Sequence, residues 1–274
     1  MAGRFRDRFA IVTGASRGIG AALAQRLAAE GASVVIAART LEKHDHLPGS
    51  LNETLARCRQ YGTTVEAIVA DLADADSRAA IVPFALDVFG GRVDILVNNG
   101  AAAVYQSTLE YPLRRRRMMF EVNVEAPIDL TQAVLPGMTA RGEGWIVNVS
   151  SATARFAPGP PYRSGGVNTV IGVYGATKAA LNRITHAFAV ELEGTGVRVN
   201  TIEPRAAVMS EGAEVLVGAI VGPEAVEPME TMVEATLVLC DCSPERTGGV
   251  HVSLDLLAEL GITARALDGS EVAS

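Results

Sequence analysis

The stretch that most restricts how this chain can fold lies near its start. Phe9-Ala10-Ile11-Val12 is a short, β-prone apolar run that breaks at Thr13-Gly14-Ala15-Ser16-Arg17-Gly18-Ile19-Gly20, and an Ala- and Leu-rich segment follows from 21 to 29. This reads as strand, glycine turn, helix. Glycines let the backbone turn sharply and approach a diphosphate closely, and the free N–H groups at the helix start, with the positive end of its dipole, attract an anion. The Gly-x3-Gly-x-Gly spacing differs from the commoner G-x-G-x-x-G fingerprint, but the strand and helix that such a site requires flank it. Apolar residues make up 49% of the chain and aromatic ones only 5%, a composition suited to helices packed closely on a buried parallel sheet.

Further apolar runs at 33–37, 65–70, 93–97, 145–149, 197–202 and 250–254 each read as strands, and each closes on small or polar residues. In a parallel sheet these carboxyl ends face one crevice, where ligands bind. Helical segments are expected over 52–61, 113–138, 174–192, 229–240 and 255–260. Pro127 interrupts the second; having no N–H, it releases the carbonyl four residues back, that of Asn123. The stretches 152–173 and 206–227 are rich in Gly and Pro and read as irregular loops suited to binding substrate. No repeat or linker divides the chain, so a single domain is expected over 1–274.

Where the second strand ends, an acid would ordinarily accept from the adenosine ribose 2′-hydroxyl. Here Ala38-Arg39-Thr40 stands instead: a small residue leaves room for a 2′-phosphate and Arg39 supplies a bidentate cation, with Arg17 as a second. This favours NADP over NAD; a solvated arginine is the plainer alternative. Further on, Tyr174 and Lys178 are separated by one helical turn in Tyr-Gly-Ala-Thr-Lys, so their side chains share a face. An ammonium beside a phenol favours the phenolate and would lower its pKa from about 10 toward the range useful for acid-base catalysis. Alone, the spacing is more simply an ordinary surface pair, since it arises often by chance.

A formal charge of −7 argues against nucleic acid or an anionic membrane as partner. No apolar run is long enough for a membrane span, and the polar, basic start up to Arg8 does not resemble a signal peptide, so a cytoplasmic location is expected. Cys58, Cys240 and Cys242 are too few and wrongly spaced for a disulfide framework or a zinc site, even with His251 nearby, and His44 and His46 read as part of a solvated loop; no metal is expected. The run Arg114–Arg117 reads as a solvated face or subunit contact, with an anionic substrate group as the sharper alternative.

The glycine loop at 13–20, Asp71, Asn98-Asn99, Asn123, Ser151 and Tyr174-x3-Lys178, in this order over alternating strands and helices, resemble the classical short-chain dehydrogenase/reductase family across nearly the whole chain. The region from Arg39 to Ser50 is loosely similar to hydroxysteroid-dehydrogenase-like proteins and terpenol dehydrogenases. The resemblance implies an α/β, Rossmann-type, doubly wound seven-stranded parallel sheet with helices on both faces. It assigns Tyr174 as general acid/base, Lys178 as the cation that lowers its pKa and binds the nicotinamide ribose, Ser151 as donor to the substrate carbonyl, and the Asn123 carbonyl as holder of a relay water. Cofactor contacts are implied for Gly14, Ser16, Arg17, Gly18, Ile19, Gly20, Arg39, Asp71, Leu72, Asn99, Gly100, Tyr174, Lys178 and Pro204.

The sequence departs from the family pattern in places. Ser151 and Tyr174 are 23 residues apart, farther than is usual, and Tyr162 at the usual distance lacks a lysine four residues on. Asn-Asn-Ala-Gly becomes Asn98-Asn99-Gly100-Ala101, Pro-Gly becomes Pro204-Arg205, and Met209 replaces a threonine. The function implied is an NADP(H)-dependent oxidoreductase interconverting an apolar secondary alcohol and its ketone, in a homodimer or homotetramer. A non-catalytic NADP-binding sensor or scaffold and a glycine-loop methyltransferase are the alternatives.

Overall fold

A computed structural model describes residues 3–42, 48–162, 169–211, 213–214 and 226–272. His44, His46, the Ser164-Gly165-Gly166 run and the glycines at 212, 218 and 222 lie outside the described residues.

Strands β1 (Phe9–Thr13), β2 (Ser33–Ala38), β3 (Val65–Val69), β4 (Ile95–Asn98), β5 (Gly144–Val149) and β6 (Val197–Glu203) join a later strand, β9 (Val250–Val252), in a seven-stranded sheet of order β3-β2-β1-β4-β5-β6-β9. Every pairing in it is parallel. The strand order reverses between β1 and β4, which opens a crevice beyond their carboxyl ends.

Both faces of the sheet are covered, so its central strands are apolar on both sides. Against one face lie α1 (Gly18–Ala29) and α2 (Leu51–Arg59). The opposite face packs on α4 (Ile81–Val88), α6 (Ala126–Arg141) and α7 (Gly172–Glu191), with α3 (Ala75–Ala79) against α4 and α6 and α5 (Leu113–Phe120) against α7. Two later helices, α8 (Met229–Leu239) and α9 (Ser253–Leu260), return to the α1 side. Alanines on α1 bring it close to β1, with Ala21, Ala22 and Ala24 buried. Ser50 caps helix α2: its side chain accepts from the Glu53 N–H at 3.1 Å, an arrangement that contributes about 1 kcal/mol.

Four local features differ from the sequence expectation. α3 and α4 occupy a stretch where the sequence predicts no element; Asp74 caps α3 through the Ser77 N–H. The helix expected over 113–138 is split by a π-helical turn at Glu121–Glu125, in which the Ala126 N–H reaches back to the Glu121 carbonyl, and α6 restarts with Pro127 in its first turn. The seventh strand stops at Val252, because the buried Ser253 already opens α9. Within 206–227, β7 (Ala207–Val208) pairs in parallel with β8 (Val226–Glu227). No helix among the described residues is long and apolar enough to cross a membrane.

Candidate active site

The crevice holds a cavity of about 560 Å³ lined by the glycine turn, the ends of β2, β3 and β4, and residues following β4. Close backbone packing builds its floor. Gly14 has φ +66°, and a Cβ there would meet the Gly100 Cα at 2.6 Å. Thr13 Oγ1 accepts from the Asn99 and Gly100 N–H groups at 3.1 and 3.0 Å, while Asn99 Nδ2 donates to the Thr13 carbonyl at 2.9 Å. These bonds lock the turn after β1 to the turn after β4. A side chain at Gly20 would collide with this lock, and one at Gly100 with Leu72.

Of the residues expected at a cofactor, Gly14, Ser16, Arg17, Gly18, Ile19, Arg39, Asp71, Leu72, Asn99 and Gly100 line the cavity. Gly20, Tyr174, Lys178 and Pro204 do not. Gly20 instead makes room for the Asn99 amide beneath the turn. Arg39 is exposed at the rim. Arg17, expected to be its companion on a 2′-phosphate, is engaged elsewhere. Its Nε donates to the Pro48 carbonyl at 2.8 Å and its Nη2 to that of Gly49 at 2.9 Å, tying the loop before α2 to the glycine turn. Asp71 turns one carboxylate oxygen to the Ala73 N–H.

Helix α7 carries Tyr174 and Lys178 on one buried face, as their spacing requires. Its register is fixed by buried amides: Asn98 Nδ2 donates to Asn148 Oδ1 at 2.8 Å, and Asn148 Nδ2 to Thr185 Oγ1 at 2.8 Å, linking β4 and β5 to the helix. Asn123 grips the turn after β4 through both Ala102 backbone groups and donates to Thr177 Oγ1 at 3.0 Å; Thr177 in turn donates to the Tyr174 carbonyl. Gly175 lets the 3₁₀ turn Ala152–Ala154 press directly on α7, for a Cβ at this position would overlap the Thr153 carbonyl oxygen. That contact brings Ser151 to Tyr174, and the two side chains hydrogen-bond despite the long segment between them. Ser151 Oγ also accepts from the Thr153 N–H and Oγ1 at 3.2 and 2.9 Å, which leaves its own proton to donate.

The electrostatics differ from the sequence expectation. Burial raises the Tyr174 phenol well above the usual tyrosine range, the neighbouring Tyr105 adds to this, and only the Ser151 hydrogen bond opposes it. The lowering expected from Lys178 does not prevail over burial. Its ammonium sits 5.9 Å from the Tyr174 ring centre and donates to the Val149 carbonyl at 2.7 Å. Burial pushes Lys178 itself down to about 8. Desolvation therefore outweighs the attraction between the pair, an effect that spacing alone does not reveal.

Several participants carry no signal of their own in the sequence. Tyr105 packs on Tyr174 with ring centres 5.7 Å apart. Thr177 and Thr153 position the catalytic candidates by the bonds above. Arg155 Nε donates to the buried Glu203 at 2.6 Å and clamps the long segment to the end of β6. Arg205 pairs with Asp255 on α9 and does not line the cavity, so the exchange of glycine for arginine leaves the crevice clear. Ala102, Ala103, Val104 and Met118 both line the cavity and pack in the apolar cluster that holds Tyr174, joining the two halves of the site. Cys58, Cys240 and Cys242 are buried free thiols that do not line the cavity, and burial pushes Cys58 up to about 12 and Cys242 to about 11.

Residues 8–215 match the short chain dehydrogenase family. The chain belongs to that family. Among relatives, this short-chain dehydrogenase is 36% identical over 204 residues to dehydrogenase/reductase SDR family member 4 of Caenorhabditis elegans, covering 73% of the chain and 71% of the relative. It is 30% identical over 251 residues to hydroxysteroid dehydrogenase-like protein 2 of Xenopus tropicalis, covering 92% of the chain but 58% of that longer protein. A short chain dehydrogenase from Burkholderia cenocepacia, solved in complex with NADP, superposes with a TM-score of 0.75 at 28% identity, over 91% of this chain and 97% of that one. This protein is thus an NAD(P)-dependent oxidoreductase with a Rossmann-like parallel sheet.

Proposed function

We propose that this short-chain dehydrogenase uses NADP(H) to interconvert an apolar secondary alcohol and its ketone, with Tyr174 as the acid/base. The observation that carries the reading is the Tyr174 phenol, hydrogen-bonded to Ser151 and buried above Lys178, in an apolar cluster continuous with the glycine-floored cavity. A raised phenol pKa keeps Tyr174 protonated at neutral pH, ready to donate as a carbonyl oxygen becomes alkoxide. Ser151 donates to the same oxygen. The Lys178 ammonium then balances the phenolate left behind, and the Asn123 backbone carbonyl, which Pro127 cannot engage, holds a water that returns the proton. A bound nicotinamide supplies the hydride.

For the cofactor, the cavity fits a dinucleotide: Gly14 and Gly100 allow close backbone approach and α1 presents its N-terminus. Arg39 at the rim, with no acid beside it at the end of β2, supports a 2′-phosphate. An apolar substrate is supported by Phe156 and Leu109, 99% and 95% exposed on the turns flanking Ser151 and α7, and by the hydroxysteroid dehydrogenase-like relative. The loops at 152–173 and 206–227 would enclose that substrate. A homo-oligomer in the cytoplasm completes the reading, with Leu113 and Phe120 on α5 and Val190 on α7 exposed for subunit contact.

Fluorescence titration with NADPH, NADH and S-adenosylmethionine, followed by turnover of a ketone panel with NADPH, tests it. NADPH binds tightest and S-adenosylmethionine not at all. Arg39→Ala weakens NADPH about tenfold or more while sparing NADH; equal losses would overturn the cofactor assignment.

A further inference from the structure

The N-terminus of α1, where the dinucleotide's diphosphate would sit, already holds an anion supplied by the chain. The Gly18 N–H donates to Glu211 Oε2 at 2.9 Å. The contact spans 193 residues of sequence and follows from no local capping pattern. It is also well seated. Gly18 has φ +55°, and a side chain there would meet Ser210 Cβ at 2.8 Å, so Ser210 and Glu211 approach a stretch of backbone that glycine alone leaves open. Ser210 lines the cavity together with Gly14, Arg17 and Gly18. The acid does not trail on a free end. Ser210 N–H donates to the Val208 carbonyl, the Ala213 N–H to Ser210 Oγ and the Glu214 N–H to the Ser210 carbonyl, a turn that follows directly on β7.

We infer that Glu211 occupies the diphosphate position of the cavity and is displaced when the cofactor binds. The inference rests on the dinucleotide reading of that cavity. A carboxylate and a diphosphate compete for the same N–H group and the same dipole end, and they repel each other, so both cannot remain. Arg17 is no substitute partner that would let the acid stay in place, because its Nε and Nη2 are held by Pro48 and Gly49. Cofactor binding therefore carries the cost of releasing Glu211, and it couples occupancy of the crevice to the position of residues 207–211 beside it. A short-chain dehydrogenase built this way holds its cofactor more weakly than the glycine turn alone would allow.

Isothermal titration of the intact protein and of Glu211→Gln and Glu211→Ala with NADPH and with adenosine 2′-monophosphate, which lacks the diphosphate, tests this. Both variants should bind NADPH about tenfold to a hundredfold more tightly, the worth of one charge-assisted hydrogen bond. Adenosine 2′-monophosphate should bind all three proteins equally. Unchanged or weakened NADPH binding in the variants overturns the inference. Equal tightening of both ligands also overturns it, since that would reflect general charge and not a shared position. If the intact protein and both variants bind no NADPH, the dinucleotide reading itself falls, and this inference with it.

Discussion

Tyr174 and Lys178 share one helix face but do not simply trade charge. Their spacing predicts the geometry correctly, yet nothing in the sequence shows that Tyr105, Tyr111 and Met119 bury the phenol. Nor does it show the Val149 carbonyl that receives the ammonium. Desolvation is a property of the assembled site, so the direction of the phenol's shift is not readable from residue types. The consequence is a distinct pH profile. Lys178, lowered by burial to about 8, is charged below that pH and neutral above it. Only the charged form offsets a phenolate left by proton donation. Ketone reduction, measured as kcat/KM with NADPH, should be level up to about pH 8 and fall beyond it, because kcat/KM reports groups of the free enzyme. Lys178→Met should be slow and lack this limb; a wild-type profile flat to pH 10 would contradict the assignment.

At the scale of elements, α7 and the turn after β5 form the device that overcomes a long intervening segment. The sequence sets Ser151 and Tyr174 23 positions apart, which argues against their meeting. Gly175 resolves the difficulty by admitting the Thr153 carbonyl, but a glycine following a tyrosine near the start of a helix gives no sign of a tertiary contact. Gly175→Ala forces the 3₁₀ turn away from α7. The variant should lose about tenfold or more in kcat, with NADPH affinity unchanged because Gly175 does not line the cavity; steady-state kinetics with parallel titration would show it, and an unaltered kcat would refute the contact's role. Other elements are hidden for related reasons. Helices α3 and α4 are short, and Pro83 sits inside the second. The pairing of β7 with β8 joins residues too far apart in sequence for periodicity to register.

For the whole molecule, the doubly wound sheet is the most legible feature. Apolar runs ending in small or polar residues, spaced by helical segments, admit few other arrangements, and the strand order places all their carboxyl ends at one crevice. The glycine turn is legible as an anion site for the same reason, but Glu211 reaching into it is not, since that contact depends on how the chain returns after β6. The proposed function puts a dinucleotide in that crevice and the chemistry on one buried phenol beside it.

The most direct test of that assignment is the rate of NADPH-dependent ketone reduction by Tyr174→Phe, measured at saturating cofactor with NADPH affinity determined on the same preparation. The phenyl ring keeps the packing against Tyr105 and removes only the hydroxyl group that carries the acidic proton. The expected result is a fall in kcat of about a hundredfold to ten-thousandfold, the usual worth of a general acid, with NADPH affinity retained. A variant that binds NADPH and still reduces the ketone at a rate within a few-fold of the wild type would contradict it.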